Sequence, residues 1–252
     1  MIKREYHVIK EVAQVAGFAT IWEALEMANP KVFNRQNLRD AGEKGLPPMP
    51  DPNEMLMKII REEQQTVTAA RLSSSHVPRR FYRSDFSIPQ TATPEIRTAM
   101  STVKAYADNI DDHVRLGDGL LMYGDVGTGK TTKAVAVLKR ALQSGHGAFF
   151  IPMVQLVDNL LTMSRDERRD FEQRITTVSL LVLDDLGAEQ AQPWVVNKID
   201  AIVTARYNNM KPMIITTNID IETAGVDKYN MRTIDRLVEM CTVVRFKGQS
   251  MR

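Results

Sequence analysis

Gly124, four intervening residues, then Gly129, Lys130 and Thr131 have the spacing of a loop that wraps a phosphate, inside the stretch GLLMYGDVGTGKTT at 119–132. Glycines in such a loop let backbone N–H groups converge on an anion without Cβ clashes. Gly124, Asp125, Val126, Gly127, Thr128, Gly129, Lys130, Thr131 and Thr132 are therefore the candidate nucleotide-binding residues. Lys130 is spaced to reach β- and γ-phosphate oxygens, and Thr131 to bind Mg²⁺. Three further stretches carry matching chemistry. LLVLDDLG, 180–187, ends an apolar run in two acids. An Mg²⁺–ATP site needs one carboxylate to position the metal's water shell, a role that suits Asp184. It needs a second acceptor to orient the attacking water, which suits Asp185. MIITTN, 213–218, ends in Asn218, which either polarises the γ-phosphate or its attacking water, or caps a loop. In NMRTIDRLVEM, 230–240, Arg232 and Arg236 stand one helical turn apart. They can deliver a guanidinium to developing phosphate charge, often in a neighbouring subunit; bridging Asp235 or Glu239 is the alternative.

Elements of the right kind lie around these groups. Leu120 to Tyr123 reads as a short buried strand, and 131–143 has helical periodicity through Ala134, Val135, Val137, Leu138 and Leu142. A phosphate would then meet the unpaired N–H groups and positive dipole end of a helix. From residue 95 the chain alternates: a helix at 95–110, the loop strand and its helix, a strand in GAFFIP, and helices in VQLVDNLL and DERRDFEQRI. A strand in LLVLDD, a helix in WVVNKIDAIVTARYNN, the MIITTN strand, a helix in MRTIDRLVEM and a strand in TVVRF complete it. Such alternation predicts a parallel five-stranded sheet with helices on both faces, an α/β fold. Ahead of it, 8–28 suggests two short helices, 42–54 a Gly/Pro-rich linker, and 53–72 a single helix. The expected division is a small helical domain over 1–70, a linker over 71–94 and the nucleotide domain over 95–252.

Composition narrows the setting. The 252 residues carry a net charge of only +2, so any nucleic-acid affinity must come from local clusters. Cys241 is the only cysteine, which excludes an internal disulfide, and with four histidines it argues against a Cys/His zinc site. No apolar run approaches the roughly 20 residues that cross a bilayer. The expectation is a cytoplasmic protein with no membrane partner.

The phosphate loop, LLVLDDLGAE, MIITTN, RTIDRLVEM and the terminal KGQSMR, in that order, resemble the AAA+ ATPases of the DnaC-type helicase loaders and the IstB-type transposition helpers. The resemblance spans about residues 77–252 and takes in VPRRFYRSDF. It implies ATP and Mg²⁺ as cofactors, held by Lys130, Thr131 and Asp184. Asp185 is implied as the water-orienting acid, although many AAA+ proteins have glutamate there. It also implies Asn218 as a sensor, Arg236 then Arg232 as the arginine finger, and no helical lid after the sheet. A site closed by a neighbouring subunit implies a homo-oligomer.

The same resemblance implies two partners: a hexameric replicative helicase, gripped by residues 1–70, and single-stranded DNA. The helix in SRDERRDFEQR offers Arg165, Arg168, Arg169 and Arg174 for phosphate contacts, with a solvated, salt-bridged surface as the equal alternative. Arg71, Arg79, Arg80 and Arg83, with Phe81 and Tyr82 between, either stack on bases or pack the linker onto the nucleotide domain; packing is favoured. A transposition helper on duplex DNA is the second reading. A small-molecule kinase needs a lid that the sequence does not supply, and an ATP-binding adaptor that hardly hydrolyses is the non-enzymatic alternative.

Overall fold

The fold is described from a computed structural model, for residues 68–188, 192–220 and 228–251. The helices expected within 8–28, the linker at 42–54 and most of the helix at 53–72 lie outside the described residues. Residues 68–74 are helical.

Five strands form one parallel sheet: β1 (Gly119–Gly124), β2 (Ala148–Pro152), β3 (Leu180–Leu186), β4 (Met213–Thr217) and β5 (Cys241–Phe246), in the order β2-β3-β4-β1-β5. β1 to β4 are largely apolar on both faces because helices cover both, while the edge strand β5 exposes Thr242, Val243 and Arg245. Leu120, Met122, Phe150, Val182 and Ile214 face α1 (Pro94–Asp108), α2 (Ile110–Leu116) and α3 (Lys130–Gln143). Their neighbours Leu121, Tyr123, Phe149, Leu183 and Ile215 face α4 (Met153–Thr162), α5 (Arg165–Thr177), α6 (Pro193–Asn208) and α7 (Met231–Met240). Each fully buried aliphatic side chain contributes about 1.5–3 kcal/mol, so these two cores hold the sheet. The parallel order puts the ends of β1, β3 and β4 side by side at one edge, where Gly124, Asp184 and Asn218 lie.

One difference from the sequence expectation is the helix at 95–110, which ends at Asp108 and is followed by α2. The break at Asn109 turns the chain, and α2 closes on Gly117 at φ 81°, where a Cβ would stand 2.9 Å from Met210 Cα. That approach requires glycine.

The helix surplus to a simple crossover, α5, is strongly charged and buries only Phe171 and Ile175. A reciprocal cap fixes its start: Ser164 Oγ accepts from Glu167 N, and Glu167 Oε2 accepts from Ser164 N at 3.0 Å. At its other end Arg206 of α6 donates through Nη1 to Ile175 O at 2.8 Å and through Nη2 to Pro212 O at 2.7 Å. Arg206 is completely buried and, among the described residues, has no carboxylate partner. Burial pushes its pKa down to about 9.

The segment leading into the sheet is packed on α3, as favoured from the sequence. Lys133 Nζ donates to the carbonyls of Asp85 and Ser87, and Lys139 Nζ to those of Tyr82 and Ser84. Phe81, Tyr82 and Phe86 lie against the core on that face. Both lysine pKa values are lowered, first by desolvation, yet the carbonyls satisfy the ammonium groups. Among the described residues no helix is long and apolar enough to cross a membrane.

Candidate nucleotide-binding site

The loop between β1 and α3 is shaped before any ligand arrives. Gly124 has φ 124°, and a Cβ there would meet Phe246 O at 2.2 Å; Gly127 has φ 79°, and a Cβ would meet Ser250 Oγ at 2.2 Å. No other residue type fits either place. Residues after β5 lace the loop from outside. Asp125 N donates to Phe246 O at 2.9 Å, Gly248 N to Asp125 Oδ2 at 2.8 Å and Met251 N to Gly127 O at 3.0 Å. From inside, Thr128 Oγ1 donates to Asp125 O, and Lys130 Nζ to Gly124 O at 2.8 Å and Asp125 O at 2.7 Å. The helix beyond starts at Gly129 with no side-chain cap and no acid in its first turn. Its free N–H groups and positive end therefore remain available to an anion.

Opposite the loop, β3 and β4 pair irregularly. Leu183 pairs with Ile215 and Leu186 with Thr217, so Asp184 and Asp185 together oppose the single residue Thr216. This two-for-one bulge re-aims consecutive side chains. Asp184 turns inward and accepts a hydrogen bond from Thr216 Oγ1 at 2.6 Å, and the same oxygen accepts from Asp185 N at 2.9 Å. Asp185 stands at φ 55°, a left-handed conformation that costs a non-glycine residue about 1–3 kcal/mol, and its side chain is exposed. Strain of that kind is characteristic of functional positions.

A cavity of about 780 Å³ joins these parts, lined by Lys130, Thr131, Asp185, Asn218, Arg80 and Met251 among others. The structure thus gathers the predicted loop, both acids' strand and Asn218 at one opening. It does not bring Arg232 or Arg236 there. Arg232 is exposed on α7, and Arg236 donates to Thr204 Oγ1, lies 3.5 Å from Asp200 Oδ1 and stands beside the Tyr207 ring. Of the α5 arginines, Arg165, Arg168 and Arg169 line a groove of about 590 Å³ with Lys198. Arg174 instead packs over Phe149 at 4.5 Å and donates to Ser74 O.

Burial raises the pKa of Asp184; the Thr216 hydrogen bond opposes the rise, the Asp185 charge adds to it, and the Thr131 hydroxyl and Arg80 oppose it. A carboxyl whose folded-state pKa is raised gives stability that is present at acid pH and is lost as pH rises through that pKa. Above the ordinary carboxylate range the raised pKa therefore costs the fold stability, which suits a group kept for a cation. Asp184→Asn should raise thermal stability at pH 7 by about 1 kcal/mol, roughly 2–4 °C, while abolishing metal-dependent turnover. Calorimetry from pH 7 down to pH 4 checks it: the gap from the parent should close as the parent's carboxyl becomes protonated.

Sequence reasoning missed Thr216 as the hydroxyl shared by both acids; the doubled threonine in MIITTN was the available signal. It also missed Arg80 in the cavity wall and the lacing of the loop by residues 246–251.

Comparison with known proteins agrees with this geometry. Residues 53–252 match the profile of the family described as IstB-like ATP binding protein. The ATP-binding protein of insertion sequence IS21 from Pseudomonas aeruginosa is 25% identical over 144 residues, covering 55% of this chain and 54% of that protein. The replicative helicase loader DnaC of Escherichia coli is 24% identical over 127 residues, covering 49% of this chain and 51% of that protein. The chain thus spans about half the length of the curated relatives it matches. The crystal structure of the DnaC helicase loader superposes with a TM-score of 0.61 at 28% identity, over 68% of this chain and 100% of the solved one. With a glycine-rich phosphate loop, a bulged strand ending in two acids and a parallel AAA+ sheet, the chain, matched over residues 53–252, belongs to the IstB-like ATP-binding family.

Proposed function

We propose that the protein is an ATP-controlled loader of a replicative DNA helicase, acting in the cytoplasm as a homo-oligomer that touches single-stranded DNA through its ATPase fold. The alignment with the DnaC helicase loader carries this reading, because it takes in all of the solved DnaC chain at 28% identity. Residues 1–70 would grip the helicase, on the strength of their position in the chain. The groove lined by Arg165, Arg168, Arg169 and Lys198 also contains the small residues Ala201 and Ala205, and its cations suit a phosphate backbone. Glu172 already pairs with Lys198 at 2.6 Å, so part of that charge is held within the protein.

The residues present fit ATP with Mg²⁺: the uncapped start of α3, the glycine cradle and a buried carboxylate under the loop. In this reading Lys130 exchanges the carbonyls of Gly124 and Asp125 for β- and γ-phosphate oxygens. Thr131 and Asp184 hold Mg²⁺, which when bound supplies positive charge and an ordered water shell. Asp185 orients the attacking water and Asn218 senses the terminal phosphate. An arginine of α7 acts in the adjacent subunit's site: Arg236, after leaving Thr204 and Asp200, or the exposed Arg232.

The second reading, a transposition helper bound to duplex DNA and a transposase, is favoured by the 25% identity to the IS21 protein. ATP hydrolysis by the full chain, measured alone, with single-stranded DNA and with duplex, each with and without a replicative helicase hexamer, separates the two. The loader reading expects severalfold stimulation by single strands and co-purification with the hexamer. Stimulation by duplex alone, with no hexamer bound, would replace it with the helper.

A further inference from the structure

We propose that Arg80, carried by the segment that leads into the sheet, supplies a second cation to the terminal phosphate in its own subunit's site. This rests on the nucleotide-site reading above and adds to it a residue that the phosphate-loop pattern does not contain.

Arg80 lies in the short 3₁₀ turn Arg79–Phe81, which starts after Pro78 and is closed by Phe81 N and Tyr82 N donating back to Pro78 O and Arg79 O. Lys139 and Lys133 hold the following residues, 82–87, on α3, the helix that begins at the phosphate loop. The turn is thus fixed to the element that would bear the phosphates. Its neighbour Phe81 packs against the core, and the Arg80 guanidinium sits 4.4 Å from the centre of that ring. Stacking of this kind limits the side chain's freedom while leaving its N–H groups unused.

Three of the other arginines have carbonyl acceptors, whereas Arg83 also lines the cavity. Arg71 donates to Leu142 O, Arg97 to Ala92 O and Gln90 O, and Arg174 to Ser74 O. Arg80 has no hydrogen bond or ion pair of its own among the described residues, is exposed, and forms part of the cavity wall that also contains Lys130, Thr131, Asp185 and Asn218. The same wall carries Asp185 and Asn218, at the ends of β3 and β4, where a terminal phosphate would lie.

Charge balance gives the guanidinium its purpose. A triphosphate remains negative after one metal ion binds, and the loop offers Lys130 against the two acids Asp184 and Asp185. A planar fork of N–H donors matches phosphate oxygens in pairs, so one arginine both neutralises and orients the group that leaves. The presence or loss of that phosphate would then be felt directly by the segment that joins residues 1–67 to the ATPase fold.

The test is nucleotide binding to the full-length chain with Mg²⁺, by calorimetry, using ADP and a non-hydrolysable ATP analogue. Arg80→Ala should weaken the analogue about tenfold or more, equivalent to about 1.4 kcal/mol, and leave ADP within about twofold of the parent. Arg80→Lys should restore part of the loss, because it keeps the charge without the fork. ADP binding itself reports that the variant is folded. Equal weakening of both nucleotides, or no weakening of either, would overturn the proposal and leave the phosphate-loop assignment standing. Lys130→Ala, run alongside, should lose both nucleotides; parental binding by that variant would remove the site reading and this proposal together.

Discussion

Lys130→Ala should yield a folded protein that does not hydrolyse ATP. The ammonium is buried, with Nζ donating to Gly124 O and Asp125 O, so the loop is already wound around the position from which the charge acts. Removing it forfeits hydrogen bonds and also relieves the desolvation of a buried cation, and Lys130 lines a cavity wide enough for water to take its place. The net change in stability should stay within about 1 kcal/mol. The change in activity is of another order. A cation aimed at developing phosphate charge inside a partly desolvated site is worth several kcal/mol, a rate loss of at least about 10²–10³-fold. Phosphate release with Mg²⁺ and a thermal melt on the same preparation measure both. Turnover like the parent's would sink the assignment of the loop.

Arg206→Ala has the opposite profile and the largest expected effect on stability. It removes a fully buried side chain, opens a cavity in the layer between α5, α6 and β4, strands the carbonyl of Ile175 and leaves Pro212 O only a long bond of 3.4 Å from Leu181 N. An unsatisfied buried carbonyl costs about 1–3 kcal/mol and the cavity left by a large side chain adds about 2 kcal/mol or more, so a loss of about 3–5 kcal/mol is expected. Arg206→Met fills most of the volume and removes a desolvated charge whose pKa burial has pushed down to about 9, so its loss should be smaller. Urea unfolding at neutral pH gives the order parent, methionine, alanine. An alanine variant as stable as the parent would show that the guanidinium holds nothing there. The effect should reach the cationic groove as well, because Ile175 belongs to α5, the helix that carries Arg165, Arg168 and Arg169.

What was legible in the sequence follows from the range of each interaction. The strands and helices from residue 95 onward could be read because each has a local pattern: an apolar run in LLVLDD, and the helical spacing of Ala134, Val135, Leu138 and Leu142 in α3. The helix over Met231–Met240 matched its expected limits, while the helix expected at 95–110 divided, since the turn at Asn109 answers to a distant contact of Gly117 with Met210. Lys130, Thr131 and the acid pair were visible through their spacing along the chain. The strand order was not, because it depends on which crossovers pack best over the whole sheet. Neither was the bulge: two acids in a row say nothing of Thr216, which meets them from 32 positions away. The finger arginines were chosen by helical spacing, yet Arg236 is held by Asp200 and Thr204, a cross-helix pairing that i,i+4 reasoning along α7 does not contain.

The lacing of the phosphate loop by residues 246–251 also has a meaning for biosynthesis. The nine residues of the loop are contiguous, so a ribosome delivers the motif early, but its shape depends on a backbone donor 123 positions downstream. Contacts of such separation form late, after the loop-closure entropy of the intervening chain has been overcome. A nascent chain that has passed Thr132 but not yet β5 therefore carries the motif without the receptacle, and competence to hold nucleotide would arrive only as the last strand docks. Synthesis arrested between those two points, with nucleotide capture followed by length of chain, would show the onset as a step near Phe246 and not near Lys130.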